Sequence, residues 1–175
     1  MDGDGSGTVE ATEKVAIARN DGVRLGVLQP ATGSHTGAPG CDPNNILILC
    51  ADTIPSSESP DIDSWFFFGG TGFHHTTSVI VINTDDGVGN VTRDYSGWDV
   101  TWNGIPSIPM GGDTANFAGD TGIATLTCGV DCSAGDTFTL DYSAHVPIGD
   151  ISGFGGVLYE LHLEGTVGEC TGDVS

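Results

Sequence analysis

Apolar residues in this chain alternate with polar ones more often than they recur at helical spacing. Along Thr137–Val146, the residues Phe138, Leu140, Tyr142, Ala144 and Val146 share one parity. Along Val157–Glu164, Val157, Tyr159, Leu161 and Leu163 oppose Glu160, His162 and Glu164. A period of two places such sets on one face of a half-buried strand. Asn90–Tyr95 and Trp98–Trp102 alternate likewise on either side of Ser96-Gly97, and Ile123–Thr127 runs into Cys128. The short apolar runs Ile46–Leu49 and Trp65–Phe68 and the β-branched stretch Thr76–Ile82 read as buried strands. Gly, Asp and Asn punctuate these runs as turn residues do. Only the Gly- and Pro-free windows 8–21 and 73–86 reach 14 residues. The first admits a short helix, with Glu10 and Lys14 as an i,i+4 pair. It equally admits a strand, with Val9, Ala11, Val15 and Ile17 on one parity. The pattern predicts an all-β fold, an antiparallel β-sandwich of jelly-roll or Ig-like type with about eight strands. It would occupy residues 29–175, after an N-terminal segment 1–28.

Charge sharpens this picture. Lys plus Arg is 4 against 24 Asp plus Glu, a net charge of −20. Four cations make no basic footprint for a phosphate backbone or an anionic lipid surface, so nucleic acid is excluded as a partner. Hydrophobic residues are nevertheless 38% of the chain and charged residues only 16%, which separates it from acidic disordered tails. Asp outnumbers Glu by 18 to 6 and Gly reaches 28, a composition suited to turns and oxygen-ligand sites rather than to helices. No apolar run approaches the ~18 residues of a membrane span. No apolar leader follows Met1, and the composition favours an exported protein whose signal has been removed.

The most specific local signal is Asp2-Gly3-Asp4-Gly5-Ser6-Gly7-Thr8-Val9-Glu10-Ala11-Thr12-Glu13. Against a twelve-position calcium loop, Asp2, Asp4 and Ser6 stand at positions one, three and five. Gly7 stands at the sharp turn, Thr8 at the carbonyl position, Glu10 at position nine and Glu13 at the bidentate position. The spacing matters because one short loop must wrap 6–8 oxygens around the ion at about 2.4 Å. This stretch resembles the calcium loop of EF-hand and dockerin-like proteins, without their entering helix. The implied cofactor is Ca2+, with Asp2, Asp4, Ser6, Thr8, Glu10 and Glu13 as metal ligands. A second acidic cluster, Asp85, Asp86 and Asn90, is a hairpin turn by default and a second cation site by composition. Asp113 and Asp120 are weaker candidates of the same kind.

Of the five cysteines, Cys41 with Cys50 and Cys128 with Cys132 are the simplest disulfide candidates for an oxidising compartment, leaving Cys170 over. Adjacent His74 and His75 point to opposite faces of a strand and so do not share a metal. Trp98 and Trp102 lie four apart on one strand, either as core or as an exposed platform for sugar rings. No nucleophile elbow, phosphate loop or other catalytic constellation is present, so the chain is not expected to be an enzyme.

The stretch Gly69–Gly112, with Thr76–Asn83 and Ser96–Gly104, and the later Gly135–Tyr142 and Gly153–Gly156, look like exported bacterial proteins that carry a C-terminal PEP-CTERM-type sorting tail. The tail itself is not among these residues. A calcium loop beside an acidic β domain also resembles the subunits of calcium-stabilised extracellular fibres. That resemblance implies a structural protein at the cell surface, a homo-polymer in which residues from Thr8 to about Leu28 dock on a neighbour as a donor strand. The alternative is a secreted carbohydrate-binding module or calcium-dependent adhesin, with a glycan held by Trp98 and Trp102.

Overall fold

The computed structural model describes residues 1–14, 23, 25–26, 65–67, 70–129 and 131–167. Within them lie nine strands: β1 Trp65–Phe67, β2 Gly70–Thr76, β3 Ile82–Asp85, β4 Asn90–Asp94, β5 Trp98–Trp102, β6 Ile105–Pro109, β7 Ile123–Cys128, β8 Thr137–His145 and β9 Leu158–Thr166. They form two antiparallel sheets, of order β1-β2-β5-β6 and β3-β4-β7-β8-β9. This is the expected all-β sandwich. The expected strand Ile46–Leu49 lies outside the described residues.

The five-stranded sheet follows the alternation in the sequence. Val91, Ala124, Leu126, Leu140, Tyr142, Ala144, Tyr159 and Leu161 are buried on its inner face, while Thr125, Thr127, Asp141, Ser143, Glu160 and His162 are exposed on the other. One face packed and one solvated is what antiparallel sheets permit. The β8–β9 pairing runs without interruption from Thr137↔Thr166 to His145↔Leu158. The four-stranded sheet behaves differently. Phe73, His74, His75 and Thr76 on β2 and Trp98, Asp99 and Val100 on β5 are buried in succession, so both of its faces are covered there.

The Thr76–Ile82 run is not one strand, as its β-branched composition suggested. β2 ends at Thr76 and β3 begins at Ile82, in the other sheet. Residues 77–81 are the crossover. In them Ile80 is buried, whereas Val79 and Val81 are 42% and 44% exposed, as is Ile82 at the start of β3, at 50%. The break is held at both ends. Thr77 N–H donates to Gly97 O (2.8 Å), and Asp94 N–H donates to Val81 O (2.9 Å). Gly97 is required there: a Cβ on it would lie 2.1 Å from Ser78 Oγ and 2.6 Å from Ser78 N.

Candidate functional site: the N-terminal acidic loop

The loop opens on an anchored end. Met1 is buried in the sandwich core, and the Asp2 N–H donates to Leu158 O at the start of β9 (2.8 Å). The Asp2 side chain then organises the loop. Its Oδ1 accepts from the N–H groups of Gly5 (2.8 Å) and Ser6 (3.1 Å), and its Oδ2 from Gly7 (2.8 Å). Asp4 Oδ1 accepts from Ser6 N–H (3.0 Å). The wrap needs positive φ at Gly5 (75°) and Gly7 (86°), which glycine adopts without the Cβ penalty. A single 3-10 turn, Ala11–Glu13, brings the chain back. Glu13 Oε1 accepts from Gly3 N–H (2.6 Å) and its Oε2 from Glu10 N–H (3.1 Å), closing the ring of residues 2–13.

The outcome is that one carboxylate oxygen from each of Asp2, Asp4, Glu10 and Glu13 lies within 4.8 Å of the others. Ser6 Oγ is 2.9 Å from Glu10 Oε1 and donates toward Thr8 O at 3.1 Å, so both uncharged donors named by the sequence sit in the same cluster. The donor set is all oxygen, rich in carboxylate and free of nitrogen and sulfur, which suits a hard cation such as Ca2+. Two of the carboxyls, Asp2 and Glu10, are biased toward ionisation. Burial pushes the pKa of Asp2 up, but the Gly7, Gly5 and Ser6 N–H groups together hold it below the ordinary carboxylate value. Hydrogen bonds to Glu10, the Thr8 hydroxyl first, lower it to about 2.

The other acidic candidates serve the fold. At the β3–β4 hairpin, Asp85 Oδ1 accepts from Gly87 N–H (2.8 Å). Asp86 Oδ1 accepts from Val88 N–H (2.9 Å) and Asn90 N–H (3.0 Å), and its Oδ2 from Asn90 Nδ2 (2.7 Å). Asp85, Asp86 and Asn90 thus build a turn. Among the described residues the only group of acids, His or Cys converging as metal ligands is the N-terminal one. Asp113 Oδ2 accepts from Ile148 N–H (2.9 Å) and Asn116 Nδ2 (2.7 Å). Asp120 Oδ2 accepts from His145 N–H (2.6 Å), and its carboxylate faces the His145 ring, which stacks on Phe117 at 3.7 Å. Both acids tie the Gly111–Gly122 loop to the end of β8.

Cys128 and Cys132 are paired, with Cα atoms 5.3 Å apart. Cys41, Cys50 and Cys170 lie outside the described residues. Trp98 is not a sugar platform. It is 1% exposed, against Tyr95 (5.0 Å between centroids) and His74 (5.2 Å), and its indole N–H donates to Tyr159 Oη at 3.2 Å. Trp102 is half-buried, edge-on to Phe154 at 5.3 Å. The two histidines do part company. His74 Nε2 bonds Tyr159 Oη inside the sandwich (2.7 Å), whereas His75 turns to the other face, with Nε2 3.5 Å from Asp99 Oδ1. Asp99 also accepts from Ser107 Oγ (2.6 Å) and Ile108 N–H (2.9 Å). Sequence reasoning missed this buried cluster because its members come from three strands. The local hint was a lone Asp between Trp98 and Val100 in β5.

On the solvated face, His162 sits between Asp141 (Nδ1 to Oδ1, 2.6 Å) and Glu164 (Nε2 to Oε1, 3.2 Å), and these acids, Asp141 first, raise its pKa. The stability this adds is full below the unfolded value near 6.5 and is lost as pH rises through the higher folded value. All three groups are well exposed, so the gain is small. An NMR titration should place His162 above about 6.5, and Asp141→Asn should bring it back toward that value.

In the comparisons with known proteins, no family model matches the sequence, and neither a curated protein nor a solved structure is significantly similar to it.

Proposed function

We propose that this chain is an exported, non-enzymatic structural domain that binds calcium through its N-terminal loop and assembles with copies of itself at the cell surface. The observation that carries the calcium reading is the convergence of Asp2, Asp4, Glu10 and Glu13 to within 4.8 Å. Four carboxylates so close repel one another, and a divalent cation relieves that repulsion along with part of the −20. Ca2+ would take these four, Ser6 Oγ and the Thr8 carbonyl as ligands. Because Met1 and the Asp2 N–H tie the loop to the core and to β9, occupancy of the loop would stabilise the sandwich itself. Further along the N-terminal segment, Val23 and Leu25 pack partly buried on the core, and Gly26 N–H donates to Ile80 O (2.8 Å). A docking arm from Thr8 to about Leu28 would make such contacts on a neighbouring copy, an exchange that gives an open-ended polymer.

Chelation is the test. With calcium at about 100 times its Kd, its removal should cost roughly 2.7 kcal/mol. For a chain of this size that corresponds to a melting temperature lower by roughly 5–10 °C. Sedimentation should show the assembly falling apart at the same time. Unchanged melting and unchanged sedimentation after EDTA would rule the proposal out. A drop in melting without a change in sedimentation would keep the ion and remove the polymer.

A further inference from the structure

The five-stranded sheet ends in β3 on one side and β9 on the other. Edges expose a row of backbone donors and acceptors, and proteins usually blunt them. β6, an edge of the other sheet, carries Pro106 and Pro109; β3 is four residues long with an irregular register between Ile82 and Thr84; β1 has three residues. β9 has none of these devices. It is nine residues long, without Pro, and in unbroken register with β8. Its direction of exposure is known, because Leu158 O accepts from Asp2 N–H and so faces away from β8. Alternation then turns the backbone groups of Glu160, His162, Glu164 and Thr166 the same way. Among the described residues no strand pairs with that edge.

The side chains along it select the partner. Glu160, His162 and Glu164 are exposed, and Asp141 on β8 adds a further carboxylate beside them. A second copy is a poor occupant at this edge: antiparallel pairing of β9 with itself sets Glu160 and Glu164 against each other, between molecules that each carry −20. A strand bearing Lys or Arg at alternate positions places cations in the same rows as these acids.

We infer that the outer edge of β9, from Glu160 to Thr166, is a strand-addition site for an extended cationic segment of another protein. Backbone pairing supplies the register and the acidic rows supply the choice of sign, as in other β-augmentation sites. The edge begins beside the point where Asp2 N–H is bonded to Leu158 O, but pairing along Glu160–Thr166 needs no bound calcium and goes beyond the function proposed above.

The probe is a synthetic peptide of about eight alternating Lys and Val residues, long enough to span the edge at ~3.4 Å per residue. Two isomers carry N-methyl groups on alternate amides, one on the set that would face β9 and one on the other set. Isothermal titration should show binding by the unmodified peptide that weakens as salt is raised. One N-methylated isomer should retain it and the other should lose it. The Glu160→Lys/Glu164→Lys variant should bind about tenfold more weakly, as expected for two reversed exposed pairs. Its circular dichroism should match the parent, because both positions face solvent. Equal binding by both isomers would mean charge attraction without strand pairing and would overturn the inference. So would no binding at all, or a β9-linked dimer that the peptide does not dissociate.

Discussion

Trp98→Ala is expected to destabilise the fold by about 3–5 kcal/mol, the range for truncating a buried large aromatic. For a chain of this size that is a fall in melting temperature of roughly 6–20 °C. Trp98 is the largest of the fully buried side chains among the described residues and joins the two sheets. It stands on β5, contacts Tyr95 and His74, and donates its indole N–H to Tyr159 on β9. Removing it opens a cavity and deprives Tyr159 Oη of a donor. Trp102→Ala should cost less, since that ring is only half-buried against Phe154. Thermal denaturation of the two variants decides the matter. If Trp98→Ala melts like the parent, the ring is not part of the core. A sugar-binding role for Trp98 would require it to leave this position.

Asp99→Ala is expected to cost about 2–4 kcal/mol, because it leaves the buried Ile108 N–H and His75 without their acceptor, at about 1–3 kcal/mol for each buried group left unsatisfied. Burial pushes the pKa of His75 down and that of Asp99 up even with each beside the other, so hydrogen bonding rather than a full ion pair holds the cluster. What makes Asp99 tolerable is its set of partners: Ser107 Oγ at 2.6 Å, Ile108 N–H at 2.9 Å and His75 Nε2 at 3.5 Å. The alanine variant leaves the Ile108 N–H and His75 buried without that acceptor, while the exposed Ser107 hydroxyl can turn to water. Asp99→Asn retains an acceptor oxygen and should recover a substantial part of the loss. Urea denaturation of the pair gives the comparison, and equal stability of Asp99→Ala and the parent would show that the cluster is not a structural fastening.

The difference between these residues and the N-terminal loop explains how much could be read in advance. The loop is local. Asp2 reaches Gly5, Ser6 and Gly7 along a few bonds, and Glu13 returns to Gly3 across ten residues, so spacing alone names the side chains that converge and the glycines that permit the wrap. The Asp85–Asn90 hairpin and the Cys128–Cys132 pair are local in the same sense. β8 and β9 were legible because period-two alternation is enforced residue by residue wherever one face of a sheet is dry and the other wet.

Other features are decided at long range. His75 and Asp99 meet because β2 and β5 pair in one register, and Trp98 meets Tyr159 because two sheets close on each other. Neither contact leaves a periodic trace in the chain. The Thr76–Ile82 run has the propensity of a strand throughout, yet it is divided because Gly97 and Asp94 capture its two ends for different sheets. The sequence by itself determined the fold class, the solvated face of the larger sheet and the members of the acidic loop, all consequences of steric and solvation preferences acting over a few residues. Only the tertiary structure decided where the crossover falls, which of Trp98 and Trp102 is core, which acids are buried fastenings and, among the described residues, which long sheet edge has no strand beside it. Those depend on pairings between segments far apart in the chain, and local preference is indifferent to them.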